Sequence, residues 1–252
     1  MTMVFAALAG GVVLGTVFQR VTGMGFALLM APFFAIVFGP YEGILLMNLG
    51  GAVSSLLMLS RVWRDVDWGR FLMLSSAAIP SGIIAGLVIT RLDQPTLQIL
   101  VGVVLILGLS ASLFLRPAPA RSSPSGLAFA AGAVSGFTNA AAGIGGPPVG
   151  IYAQATGWPQ RNLAATLQPV FFVISVSAFA SKTIISGGLP GLAWWIYPAM
   201  VLFIVVGLTV GELSKKWIDD RLARLAVIVF CYFGAASAIV DGVIAMVQGT
   251  LL

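Results

Sequence analysis

Charged residues divide this chain into long uncharged stretches, and that spacing limits what it can fold into. The uncharged runs are 1–19, 21–41, 43–60, 71–90, 94–115, 122–160, 162–181, 183–211 and 225–240. About 20 consecutive apolar residues match the hydrocarbon thickness of a bilayer when helical. Only 8% of the residues are charged and 59% are hydrophobic, whereas a soluble domain carries about 25% charged residues. The chain therefore reads as an all-α polytopic membrane protein with little mass outside the lipid. Its basic excess, 13 Lys+Arg against 8 Asp+Glu, is then topology charge and not a nucleic-acid footprint. One cysteine, Cys231, and no histidine exclude a disulfide framework and a Cys/His metal site. Without histidine the usual proton relay near neutral pH is also missing. The first apolar segment starts without a basic leader, which reads as a retained segment and not a cleaved signal peptide.

Ten apolar segments can be read, near 4–20, 22–38, 43–60, 71–90 and 97–115, then 127–142, 144–159, 163–181, 192–211 and 224–247. Residues 1–116 form a first repeat, 117–125 a Pro/Ser linker, and 126–252 a second repeat. A shift of 121 residues lays Gly11 on Gly132, Gly15 on Gly136 and Gly25 on Gly146. Matched glycine breaks in two hydrophobic repeats point to a transporter's binding region. Broken backbone survives at membrane depth only where protein or a wet cavity satisfies its polar groups.

Segments 1–2 and 6–7 are short and glycine-rich. Read as hairpins, they place Arg61, Arg64, Arg70, Arg116, Arg121, Arg161, Lys215, Lys216, Arg221 and Arg224 on one side of the membrane. The other side keeps Arg91 and Lys182, and Arg20 falls at a hairpin tip. Read as single broken crossings, the same segments split the basic residues about evenly. The positive-inside bias favours hairpins. Each half is then a glycine-broken hairpin plus three transmembrane helices, the halves are inverted, and both termini face outside; full crossing by both arms of each hairpin gives nearly the same charge pattern, and a re-entrant hairpin is the preferred reading.

Several residues in these segments are candidates for substrate binding. Arg20, between Gln19 and Thr22, is costly at membrane depth and marks an anion pathway if it lies at a tip; it snorkels at a surface if segment 1 crosses fully. Helix ends at the Gly23 and Gly25 break would add N–H donors and positive dipole ends. In the second half, Thr138 and Asn139 precede Gly143, Gly145, Gly146 and Pro147. Glycine there permits close backbone approach and proline breaks the helix; the plainer reading is close helix contact. Asn48 and Gln168 are lone amides at corresponding positions, suited to binding or to an interhelical hydrogen bond of roughly 1 kcal/mol. Tyr152 and Gln154 are weaker candidates. Glu42, placed at the inner mouth, and Asp241, near the outer end of the last span, could take up a coupling proton if burial raises their pKa; a surface carboxylate is the plainer reading of each. The tryptophans flank segment ends as an interfacial belt. No nucleophile–base pair, P-loop or cofactor pattern is visible.

Gly23-Met-Gly25 followed by Pro32, and Gly143-Ile-Gly145-Gly146-Pro147 in the second half, resemble the TauE/SafE family, also described as toluenesulfonate uptake permeases. The resemblance covers nearly the whole chain, although Gly-Met-Gly-Phe stands where a longer glycine run is common. It implies a secondary carrier of the cytoplasmic membrane moving a small sulfur-containing anion such as sulfite, sulfoacetate, a sulfonate or thiosulfate.

The leading expectation is therefore a small-anion transporter working by alternating access, with an anion channel as the alternative; the lack of clustered acids and histidine argues against a third class, a membrane-embedded enzyme. A cationic substrate would require Arg20 to lie outside the cavity. Proton coupling and a homodimer are both compatible with this reading. Export of a dianion could instead run on the membrane potential, at about 2.3 kcal/mol per charge per 100 mV.

Overall fold

The uncharged runs become ten helices. The computed structural model describes residues 2–22, 25–89, 91–114, 125–185, 191, 193–214 and 220–250. In order these are α1 (Thr2–Thr22), α2 (Gly25–Phe38), α3 (Pro40–Val62), α4 (Trp68–Ile89), α5 (Gln94–Phe114), α6 (Ser125–Ala142), α7 (Gly146–Thr156), α8 (Gln160–Ile185), α9 (Ile196–Ser214) and α10 (Asp220–Thr250), with a 3-10 turn at Trp63–Asp65. All regular structure among the described residues is helical. Helix boundaries follow local chemistry. Gly39, at φ 84°, releases the chain so that Pro40 can open α3, and proline costs nothing at the first helical position. Asp93 caps α5, accepting bonds from the Thr96 amide (3.1 Å) and hydroxyl (2.8 Å). The hydroxyl first, then the amide, hold this carboxyl below its ordinary pKa. Gly157, left-handed at φ 60°, ends α7.

Windows within α3, α4, α8, α9 and α10 are long and apolar enough to cross a membrane. In α3 and α8 those windows are 72% and 61% buried, against 28–39% in α4, α9 and α10. Helices α3 and α8 are thus central, and the other three face lipid. Segment 1 is longer than its sequence signal: α1 runs 21 residues, about 31 Å at 1.5 Å per residue. The short elements are α2, with 14 residues, and α7, with 11.

Side-chain contacts set the helix directions. Arg20, near the end of α1, and Arg61, near the end of α3, both reach Glu212, near the end of α9. These three helices therefore run the same way. Arg161 pairs with Asp65 at 2.9 Å, and the Arg70 guanidinium lies 4.4 Å from the Trp158 ring centre, so the α3–α4 and α7–α8 joints share that end. Gly11 lies against Phe33 and Gly15 against Met30, so α1 and α2 are an antiparallel pair. Gly132 sits on Leu74 and Gly136 on Ala78, so α6 runs parallel to α4, away from the basic end, and α7 returns to it. The α6–α7 pair opens toward the basic end. The α1–α2 pair opens away from it.

Glu42, expected at the inner mouth, does not lie with the basic residues that would mark it. It begins α3, the helix whose far end carries Arg61, and so belongs to the opposite end. There it lines a pocket of about 240 Å³ with Phe38, Tyr41, Leu92, Gln94 and Leu97.

Candidate functional site

The polar residues of the described core gather where α1, α3, α6 and α8 meet. A small cavity of about 20 Å³ is lined by Gln19, Phe26, Ala27, Met47, Gly51, Ser55, Asn139, Phe171 and Ser175. That space holds about one water. Three pairs of its lining residues, Gln19 and Asn139, Gly51 and Phe171, and Ser55 and Ser175, are each 120 residues apart in the chain. Each pair has one member before residue 117 and one after residue 125, so the first and second parts of the chain both supply its walls.

The hydrogen bonds here are local and complete at their centre. Asn139 donates its Nδ2 to Asn48 Oδ1 at 2.8 Å, and Asn48 donates its own Nδ2 to the Ile44 carbonyl at 2.9 Å. Ser54 donates its hydroxyl to Gln19 Oε1. Ser135 donates to the Gly145 carbonyl at 2.6 Å and so fixes the segment between α6 and α7. Gly143 turns that segment at φ 73°, and a Cβ there would sit 2.5 Å from Met47 Cγ. Gly145 has the same problem with Ile174 Cδ1 at 2.7 Å. Only glycine combines the positive φ with this close approach at 143. Gly146 and Pro147 are buried and start α7. Because Pro147 and Pro148 lack N–H groups, the α7 N-terminus is a poor anion cradle. Phe26 and Ala27, in the first turn of α2, also line the cavity.

Not every sequence candidate reaches this place. Arg20 is held by Glu212 beside Arg61 at the basic end, its side chain 19% exposed. Thr138 turns back to the Val134 carbonyl of its own helix at 2.9 Å. Gln168 is buried but is bonded to Ala164 O at 3.0 Å and not to Asn48; its Oε1 has no hydrogen-bond partner among the described residues. Thr22 ends α1 and Gly25 begins α2, while Gly23 lies outside the described residues. Asp241 is exposed on α10. Tyr152 packs on Trp158, ring centres 5.9 Å apart. Trp158 is buried beneath Arg70 and is not a belt residue.

Sequence reasoning missed Ser54, Ser55 and Ser175. The signal was present at an offset of 120, one residue from the glycine register. It also missed Lys182, which has no solvent exposure and donates its Nζ to the Ala140 carbonyl at 2.7 Å. Among the described residues no group of three or more His, Cys, Asp or Glu side chains could hold a metal ion. The cavity can offer hydroxyl and amide groups to the oxygens of a small solute, and its walls come from helices that could separate on either side.

Residues 7–238 match the family model described as sulfite exporter TauE/SafE. Among curated proteins and among solved structures nothing matches the chain. A match over nearly the whole length, in a helical chain with five helices able to cross a membrane, makes this a multi-pass membrane transporter of the sulfite-exporter type. The chain belongs to the sulfite exporter TauE/SafE family.

Proposed function

We propose that the protein is a secondary carrier of a small sulfur oxyanion, with sulfite the first substrate to test, and that the oxyanion binds in the enlarged form of the cavity between α1, α3, α6 and α8. The cytoplasmic membrane is the setting that the family suggests. The observation that carries the reading is the cavity wall. Gln19 and Asn139, and Ser55 and Ser175, come from corresponding positions of the two halves and close on about 20 Å³.

Two halves of opposite direction account for this pattern. Helix α1 packs on α9 of the other half, and α6 packs on α4, the corresponding pair. The pairs α3·α8 and α5·α10 lie where such halves would face each other. Inverted repeats around a fixed midplane site are the usual basis of alternating access. On this reading α6–α7 is a re-entrant hairpin, since both its open ends lie at the basic end and residues 139–147 are buried. Gln19, Asn48, Ser55, Asn139 and Ser175 then bind oxygen atoms. Gly143, Gly145, Gly146 and Pro147 form the bend that admits the substrate. Arg20 joins Glu212 and Arg61 as a closing contact at the inner end. A cavity sealed to one water supports a carrier over a channel, which needs a continuous path.

The test is sulfite flux into proteoliposomes. Wild-type flux should saturate with concentration, and Asn139→Leu, which fills the cavity and deletes the amide, should lower it at least tenfold. Unitary current steps in a planar bilayer would sink the carrier reading. Absence of any sulfite flux would sink the substrate.

A further inference from the structure

We infer that Lys182 is the residue that meets the negative charge of the transported anion, released for that task when the α6–α7 bend opens. This deepens the carrier reading above and rests on it. Lys182 stands three residues before the end of α8 at Ile185. A lysine so placed ordinarily extends its ammonium to the membrane surface. Here it turns inward and is 0% exposed. Its stem passes Gly86 of α4, where an added Cβ would meet Lys182 Cγ at 4.0 Å and the neighbouring Ser181 Oγ at 3.1 Å. Its Nζ ends 2.7 Å from the Ala140 carbonyl oxygen, the distance of a charge-assisted bond.

Ala140 is the neighbour of Asn139, which lines the cavity, and it lies in the last turn of α6 before the Gly143 bend. The ammonium therefore sits at the negative end of the α6 dipole, outside the closed cavity's lining but bonded to the residue that follows Asn139, and the polar side chains of that lining, Gln19, Ser55, Asn139 and Ser175, are all neutral. A charge at membrane depth is expensive and by default belongs to a substrate or ion pathway. A cation beside a neutral pocket selects an anion. The Ala140 carbonyl occupies the ammonium as an anion's oxygen would. Movement at Gly143, which shifts the last turn of α6, exchanges one oxygen for the other without stripping the charge of a partner.

Two measurements test this on the full chain. The first is sulfite-induced thermal stabilisation of purified wild type, Lys182→Met and Lys182→Arg, since a ligand that binds only the folded state raises its stability. Lys182→Met should need at least tenfold more sulfite for half its maximal shift, and Lys182→Arg should recover much of the loss. An unchanged sulfite requirement in Lys182→Met overturns the inference and leaves the carrier reading standing. The second measurement does not depend on sulfite. Cys231 is the only cysteine, so Lys182→Cys in a Cys231→Ala background carries one thiol. In proteoliposomes a small methanethiosulfonate reagent should modify that thiol, because the inference requires position 182, which is 0% exposed in the closed form, to open to the transport pathway. A thiol that the reagent does not reach overturns the inference. If wild type shows no response to sulfite, the substrate assignment fails and the cysteine measurement decides alone, as it does if Lys182→Met does not fold.

Discussion

Replacing Asn139 with alanine deletes its side-chain bond to Asn48, which ties α6 to α3 at the cavity. Asn48 is fully buried, and its Oδ1 receives the Asn139 amide at 2.8 Å. A buried acceptor stripped of its donor costs about 1–3 kcal/mol in soluble cores. Interhelical hydrogen bonds in membranes average about 0.6 kcal/mol, because other partners step in. Here such a partner has room, since the adjacent cavity holds about one water. The expected loss is therefore about 1 kcal/mol. Asn48→Ala removes the same bond and its link to the Ile44 carbonyl, whose helical partner remains, so its cost should be similar. If the two amides stabilise each other, the double variant should fall short of the sum of the singles by about 0.5–1 kcal/mol. Reversible unfolding in mixed detergent micelles, followed by helical signal, measures all four corners of the cycle. Additivity within about 0.3 kcal/mol would refute the pairing, and with it the placement of α6 against α3.

Two further outcomes follow from helix contacts and from the basic end. A Cβ added at Gly136 would stand 2.6 Å from the Ala78 carbonyl carbon, while one added at Gly150 meets nothing within 4 Å; Gly136→Ala should destabilise by about 1–3 kcal/mol and Gly150→Ala should be neutral or raise stability by up to about 1 kcal/mol, read as paired thermal midpoints. Arg20→Ala should keep the sulfite-induced thermal shift while changing flux, because Glu212 and Arg61 hold Arg20 outside the cavity lining; loss of the shift in that variant would return Arg20 to the binding site.

Each of the ten helices overlaps a segment legible from charge spacing and apolar runs, because a bilayer imposes the same length requirement on every crossing. The glycine register was legible too, but not what each glycine does. Gly132 and Gly136 press against the α4 backbone, whereas Gly11 and Gly15, their sequence matches, meet only the side chains of Phe33 and Met30. On the α1 side the close approach is made from the partner helix, by Gly207 against Val13 and Gly211 against Val17. A close helix contact needs one small surface, and either helix can supply it. Repeats can therefore keep the contact while moving the glycines, and a sequence match between glycines does not report a match of jobs.

The polar residues behave differently, and this separates packing from function. A hydrogen-bonding group aimed at a shared cavity cannot be supplied by an arbitrary neighbour, because its direction is set by the backbone that carries it. Gln19 and Asn139, and Ser55 and Ser175, keep their 120-residue spacing while the glycines drift to 121 and change helices. Arg20 illustrates the converse. It is one residue from Gln19, yet a helix turns about 100° per residue, so Gln19 faces the cavity and Arg20 faces Glu212. Lys182 could not be recognised from its position, since an end-of-span lysine points outward unless neighbouring helices leave a channel inward. Here the lysine stem runs past Gly86 of α4 and its ammonium ends on the Ala140 carbonyl of α6. The two helices that enclose the lysine are thus the pair brought together by Gly132 and Gly136. Close contact between α4 and α6 puts small residues, Gly86 and Ala140, on both sides of the buried lysine, and on the inference drawn above they act on the substrate's charge without touching it.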